Sequence, residues 1–168
     1  GCSRLWVLDV PCRSTVFLLQ NDAIVVYVRD LGGGAFWSAA IEPVRNDGDP
    51  YEVIAQPGIV SFIREHDGIR TTLEVALVAG APAEERRLTI ENISGRERHL
   101  DVTTYVELGL NTPVADAAHP AFSNLVVQPE RDAKCNALIA PRRQRAPSAV
   151  QIWDAHTLRT ERADKMDA

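Results

Sequence analysis

The chain has 168 residues, 45% apolar and 24% charged, the balance of an ordinary globular protein, which excludes the disordered and fibrous classes. Its 18 Lys and Arg against 23 Asp and Glu give a formal net charge of -5, an acidic balance that repels a phosphate backbone and argues against nucleic acid as a partner. Cys2, Cys12 and Cys135 are odd in number and show no CxxC spacing, so neither a disulfide framework nor a zinc site is signalled.

No apolar run approaches the ~20 residues of a spanning helix, and the first segment lacks the basic start and apolar centre of a signal peptide. The expectation is a cytoplasmic chain with no direct membrane insertion. The length fits one domain over residues 1–158, because two would leave each half a thin core. Residues 159–168 read as a charged tail.

Period-two alternation dominates the chain and predicts strands. In the first twenty residues, Val16, Phe17, Leu18 and Leu19 run together without alternation, as in a strand buried on both sides or a sticky edge. Strands are then expected at Ala23–Arg29 and Ala35–Ala40, joined by a flexible Gly32-Gly33-Gly34 turn, and at Tyr51–Ala55 and Ser61–His66. Asp67-Gly68 supplies the positive φ angles of a tight hairpin into Ile69–Val78, where Leu73, Val75 and Leu77 face inward and Arg70, Thr72 and Glu74 face water. Ser94-Gly95 is read as a second hairpin turn, between Arg87–Ile93 and Glu97–Leu108. In the latter, Leu100, Val102, Thr104, Val106 and Leu108 share one face, an alternation that places this strand at the centre of the core. Asn111–Pro120 reads as an irregular loop with at most one helical turn at Val114–Ala118. Strands at Phe122–Gln128, Asn136–Ala140 and Val150–His156 complete the series, with a basic loop, PRRQRAPS, at Pro141–Ser148. About ten strands in this length imply an all-β fold of two packed antiparallel sheets.

Candidate chemistry is sparse. Asp116 and His119 lie three apart, but a metal centre takes three or four ligands. His66, His99 and His156 stand without a matching partner in the sequence. No GxSxG-type signature is present, and Cys135 reads as a small buried apolar residue rather than a nucleophile. The triple glycine lacks the G-x-G-x-x-G spacing and no helix follows it, so it does not predict a phosphate site. Arg142, Arg143 and Arg145 read as a solvated basic loop. Aromatic residues stack on the C–H faces of sugars, and in AFWSAA either Phe36 or Trp37 must point outward.

Several motifs in order carry a resemblance. YVRDLGGGAFWSAA at Tyr27–Ala40 resembles the "YLRD…SGEVWS" hairpin of the sandwich domain shared by family 94 glycoside phosphorylases and cyclic β-1,2-glucan synthases. EERRLTIENISGRERHLDVTTYVEL at Glu84–Leu108 resembles the family's "RRLTLTNRSGRPRRLSVTSYVEWVL". LNTPVADAAHPAFSNLVVQ at Leu110–Gln128 resembles the loop and strand of the glucan synthases. The resemblance implies a large antiparallel sandwich of the galactose-mutarotase-like supersandwich type, in whole or in part. In those enzymes it precedes an (α/α)6 barrel, sometimes in an enzyme attached to the inner membrane, and the barrel carries the general acid and the phosphate site. The same resemblance implies a chain with no catalytic residue, cofactor or metal of its own. Its partners would be a glucan or oligosaccharide and either a second copy, as a homodimer, or the barrel. The candidate sugar-contact residues are Asp30, Trp37, Tyr105, Asn111, His119 and Trp153.

Overall fold

The computed structural model describes residues 2–7, 10–15, 24–81, 83–111, 118–144, 146–147 and 151–161, giving only the backbone for residues 2–7, 10–15, 120, 123 and 124. The run Val16–Leu19 and most of the Asn111–Pro120 loop, including Asp116, lie outside them. The chain divides into two compact units, Gly1–Leu5 with Arg13–Glu107, and Trp6–Cys12 with Leu108–Ala168. Strands β1 (Cys2–Val7) and β2 (Val10–Thr15) form a two-stranded sheet. Among the described residues no helix is long and apolar enough to cross a membrane.

The first unit holds the sandwich. One sheet has the order β4-β3-β9, from β3 (Ile24–Asp30), β4 (Phe36–Ser38) and β9 (Leu100–Val106). The other has the order β5-β6-β7-β8, from β5 (Tyr51–Gln56), β6 (Ile59–His66), β7 (Ile69–Leu77) and β8 (Glu84–Asn92). Every pairing is antiparallel. Alternate residues of each strand face the space between the sheets. They build one cluster from Val26, Ala39, Ala40, Phe62 and Leu73 and another from Val28, Trp37 and Ile69. The fold is the all-β sandwich that the alternation predicts.

The Asp67-Gly68 hairpin forms as expected: Asp67 has φ 45° and Gly68 φ 75°, and His66 pairs directly with Ile69, the geometry of a two-residue type I′ turn. The Ser94-Gly95 reading needs correction. Strands β8 and β9 do not pair; β8 joins β7 while β9 joins β3 in the other sheet. The cause lies in the side chains on both sides of the connection. Leu88 and Leu100 pack on the Val28–Trp37–Ile69 cluster from the two sheets, which a hairpin would set side by side. Arg98 reaches Asp30 and Asp67 (2.9 and 2.7 Å) and pins the crossing chain to the β3–β4 and β6–β7 turns. Consequently β3, not β9, is the central strand of its sheet, although β9 keeps the expected alternation, with Asp101, Thr103 and Tyr105 exposed. Leu77, expected inward, is exposed at the end of β7.

In the second unit the strand expected at Phe122–Gln128 begins instead as helix α1 (Pro120–Leu125). Proline is preorganised for a first helical turn, and the Phe122 N–H donates to the His119 carbonyl at 3.1 Å. Extended pairing starts only at Val127, which bridges to Arg142. Strands β10 (Glu130–Asp132), β11 (Ala137–Pro141) and β12 (Trp153–Thr157) form an antiparallel sheet in that order.

Candidate functional site

The structure separates the sequence-predicted residues into three settings. Trp37 lies in β4 opposite Val28, on the inward face, and is fully buried. Its ring stands 4.9 Å from that of His66, and its indole N–H has no hydrogen-bond partner among the described residues. A ring with no exposed surface offers no stacking plate to a sugar. Asp30 is likewise buried: its carboxylate accepts the Gly32 and Gly33 N–H groups at 3.0 Å each and Arg98 Nη2 at 2.9 Å. The Gly32 N–H first, and then Arg98 and the Gly33 N–H, hold this carboxyl below the ordinary value against the opposing effect of burial. The triple glycine therefore has a defined task. A Cβ on Gly33 would stand 2.6 Å from Asp30 Oδ2, so a side chain there would push the carboxylate off its present contacts.

Phe36, the other half of the alternation, points outward. Cross-strand partners share a face, and the register assigns Phe36 opposite Arg29, Tyr27 opposite Ser38 and Thr103, and Tyr105 opposite Val25. Phe36, Tyr27 and Tyr105 thus form a diagonal across the outer face of the β4-β3-β9 sheet. Phe36 and Tyr27 stack, with ring centroids 5.2 Å apart and planes 18° from parallel. Phe36 remains 47% and Tyr105 49% exposed.

The remaining three candidates belong to the second unit. Asn111 is half-buried, and His119 is exposed with its ring 6.0 Å from Phe122, edge-on. Trp153, opposite Pro141, is 59% exposed. Burial of its neighbour on β12, Asp154, raises that carboxyl above its ordinary value, partly offset by His156.

The most organised polar cluster was missed by sequence reasoning. Arg64 is fully buried. Its Nη1 donates to the carbonyls of Ser38, Ala40 and Val44 (2.8, 2.9 and 3.0 Å), and Nε and Nη2 donate to Asp49 Oδ2 (3.0 and 2.8 Å). His66, expected to lack a partner, places Nδ1 3.0 Å from the same carboxylate oxygen. One guanidinium thereby holds the irregular segment between β4 and β5, whose carbonyls have no ladder to pair with. The signal was present in β6, where Phe62 is inward and strand parity forces Arg64 inward too. Cys135, expected to be buried, is exposed. The turn after β10 explains this, since the Asp132 carboxylate accepts the Lys134 N–H at 2.8 Å and the adjoining Asn136 has φ 49°, leaving Cys135 on an outward loop. Among the described residues, no three of His, Cys, Asp and Glu gather as a metal site.

Residues 12–168 match the family model described as glycosyl hydrolase 94, supersandwich domain. Among curated proteins, the chain is similar to the cyclic beta-(1,2)-glucan synthase NdvB of Rhizobium meliloti, with 28% identity over 131 residues, 78% of this chain and 5% of that protein. It is 34% identical over 84 residues to the cellobionic acid phosphorylase of Neurospora crassa, covering 50% of this chain and 11% of the relative. It is 32% identical over 110 residues to the solabiose phosphorylase of Paenibacillus borealis, covering 66% of this chain and 14% of the relative. The chain therefore spans a small fraction of the length of these relatives.

Proposed function

Because the chain belongs to the glycosyl hydrolase 94 supersandwich family, we propose that it is the non-catalytic, carbohydrate-associated sandwich of a glucan synthase or glycoside phosphorylase-type enzyme. It supplies architecture and contacts the saccharide, while a separate (α/α)6 barrel performs the chemistry. A second copy or the barrel is its protein partner, and the cytoplasm its setting. Relatives named for a glucan, for cellobionic acid and for solabiose support a saccharide as the shared ligand class. Phosphorolysis of a glycoside needs a general-acid carboxyl group that converges with a phosphate site on one substrate. Three described carboxylates with little exposure are engaged otherwise: Asp30 by Arg98, Asp49 by Arg64 and Glu84 by Arg86.

The observation that carries the carbohydrate part is the outward placement of Phe36, Tyr105 and Trp153 on strands of a sandwich from this family. Such rings bring large contact area with little entropy to lose. A glycan array probed with the fluorescently labelled chain tests the reading. Retention on β-glucosides above unrelated glycans is the expected result. No retention on any glycan would replace this reading with that of an interaction module without sugar affinity.

A further inference from the structure

The exposed surfaces differ in what they can hold. The outer face of the β5-β6-β7-β8 sheet presents Glu52, Glu65, Arg70, Glu74, Glu85, Arg87 and Glu91, with Arg70 paired to Glu65 and Glu91 at 2.7 and 2.9 Å. Ile54, Ile59 and Ile63 share this face, and among the described residues it carries no aromatic ring. In the second unit, Trp153 is a single ring on the edge strand of its sheet. The outer face of the β4-β3-β9 sheet combines both needed kinds of group. Phe36, Tyr27 and Tyr105 run diagonally across three strands, a step of about 7–8 Å between diagonal neighbours, and Arg29, Asp101 and Thr103 lie on the same face.

We infer that this outer face of the β4-β3-β9 sheet is a saccharide-binding surface that takes a neutral gluco-oligosaccharide; the inference rests on the carbohydrate-associated reading above and assigns its location. A pyranose has apolar C–H faces and a rim of hydroxyl groups. Tyr105 and the part of Phe36 not covered by Tyr27 meet the C–H faces. The exposed Arg29 guanidinium donates to hydroxyl groups, and the Asp101 carboxylate accepts from them. Thr103 Oγ1 already donates to Asp101 Oδ2 at 3.3 Å, which orients that carboxylate on the face. Arg29, Asp101 and Thr103 flank the aromatic row on the same face, so hydrogen-bonding groups lie beside the rings. Phe36 and Tyr105 stand outward, so truncating either leaves both core clusters untouched.

The test is titration of the purified chain with a linear β-1,2-gluco-oligosaccharide and with a cello-oligosaccharide, followed by calorimetry and by backbone amide shifts. In the unmodified chain, shifts concentrated at Tyr27, Arg29, Phe36, Asp101, Thr103 and Tyr105 are expected with at least one of the two sugars. Phe36→Ala and Tyr105→Ala should each weaken binding by about tenfold, the loss of roughly one stacking contact, whereas Arg87→Ala, on the outer face of the other sheet, should leave it unchanged. Binding that survives both substitutions, or shifts centred on the second unit, would overturn the location while leaving the carbohydrate-associated reading in place. A chain that binds neither sugar here and no glycan on the array would overturn both. Shift mapping uses the unmodified chain, so the outcome does not depend on a variant folding.

Discussion

Replacing Arg64 by methionine removes a fully buried guanidinium with apolar bulk of similar length. What it leaves behind sets the cost. The carbonyls of Ser38, Ala40 and Val44 lose their donor, and Asp49 loses its charged partner. Removing one member of a buried ion pair costs about 3–5 kcal/mol, a large part of the ~5–15 kcal/mol by which a domain is stable. With a urea dependence near ~2 kcal/mol per molar, the unfolding midpoint should fall by about 2 M, read by fluorescence of the fully buried Trp37. Arg70→Met is the matched control, because Arg70 pairs with Glu65 and Glu91 on the solvated face. Surface pairs of that kind contribute about 0–1 kcal/mol. Arg64→Met with Asp49→Leu should recover part of the loss, since the stranded carboxylate goes too. A loss for Arg64→Met no greater than that for Arg70→Met would refute the role given to this network.

Acid should weaken the chain through Asp30. Its folded value lies below the ordinary 3.8, so its stabilisation is complete above that value and drains as pH falls through the folded one. Asp30→Asn should therefore melt at a temperature that falls less than that of the parent between about pH 6 and pH 3, and an equal fall would count against the Asp30–Arg98 clamp. Asp154 carries the opposite sign: its folded value is raised by burial, so acidification removes a penalty, and Asp154→Asn should be the more stable protein at neutral pH in the same melts. Gly68→Ala adds a Cβ that would stand 2.6 Å from the Ser94 Cβ at φ +75°, whereas Gly58→Ala at φ +84° meets nothing within 4 Å. Both substitutions strain the backbone by about 1 kcal/mol, and only Gly68→Ala should lose clearly more in urea melts. Val102→Asp places a carboxylate against the Val26–Phe62–Leu73 cluster, where an unpaired charge costs several kcal/mol. Soluble, cooperatively melting mutant protein would contradict the register of β9.

The strands of the first unit were legible because alternation and turn residues agree there. Asp67-Gly68 specifies its turn by local backbone chemistry, and the Phe36–Trp37 pair had to split between the two faces. Ser94-Gly95 carries the same kind of local signal. Its outcome was set by a long-range contact, the reach of Arg98 to Asp30 across 68 positions of sequence, which no local pattern encodes. The buried placement of two sugar-contact candidates has a related cause. Motif membership selected Asp30 and Trp37, but strand parity turns both into the core, and the rings left outside are Phe36, Tyr27 and Tyr105. Arg64 shows the reverse case, because an inward charged position on β6 is visible in the sequence once Phe62 fixes the parity.

The proposal that this chain performs no glycosidic chemistry of its own is tested most directly by phosphorus NMR on the purified protein. The chain is incubated with inorganic phosphate and cellobiose or a β-1,2-linked glucan, and in the reverse direction with glucose 1-phosphate and glucose. No sugar phosphate should form or disappear beyond the protein-free blank, because the Asp30 and Asp49 carboxylates are already engaged by Arg98 and Arg64. Turnover that scales with the concentration of the chain would contradict the account.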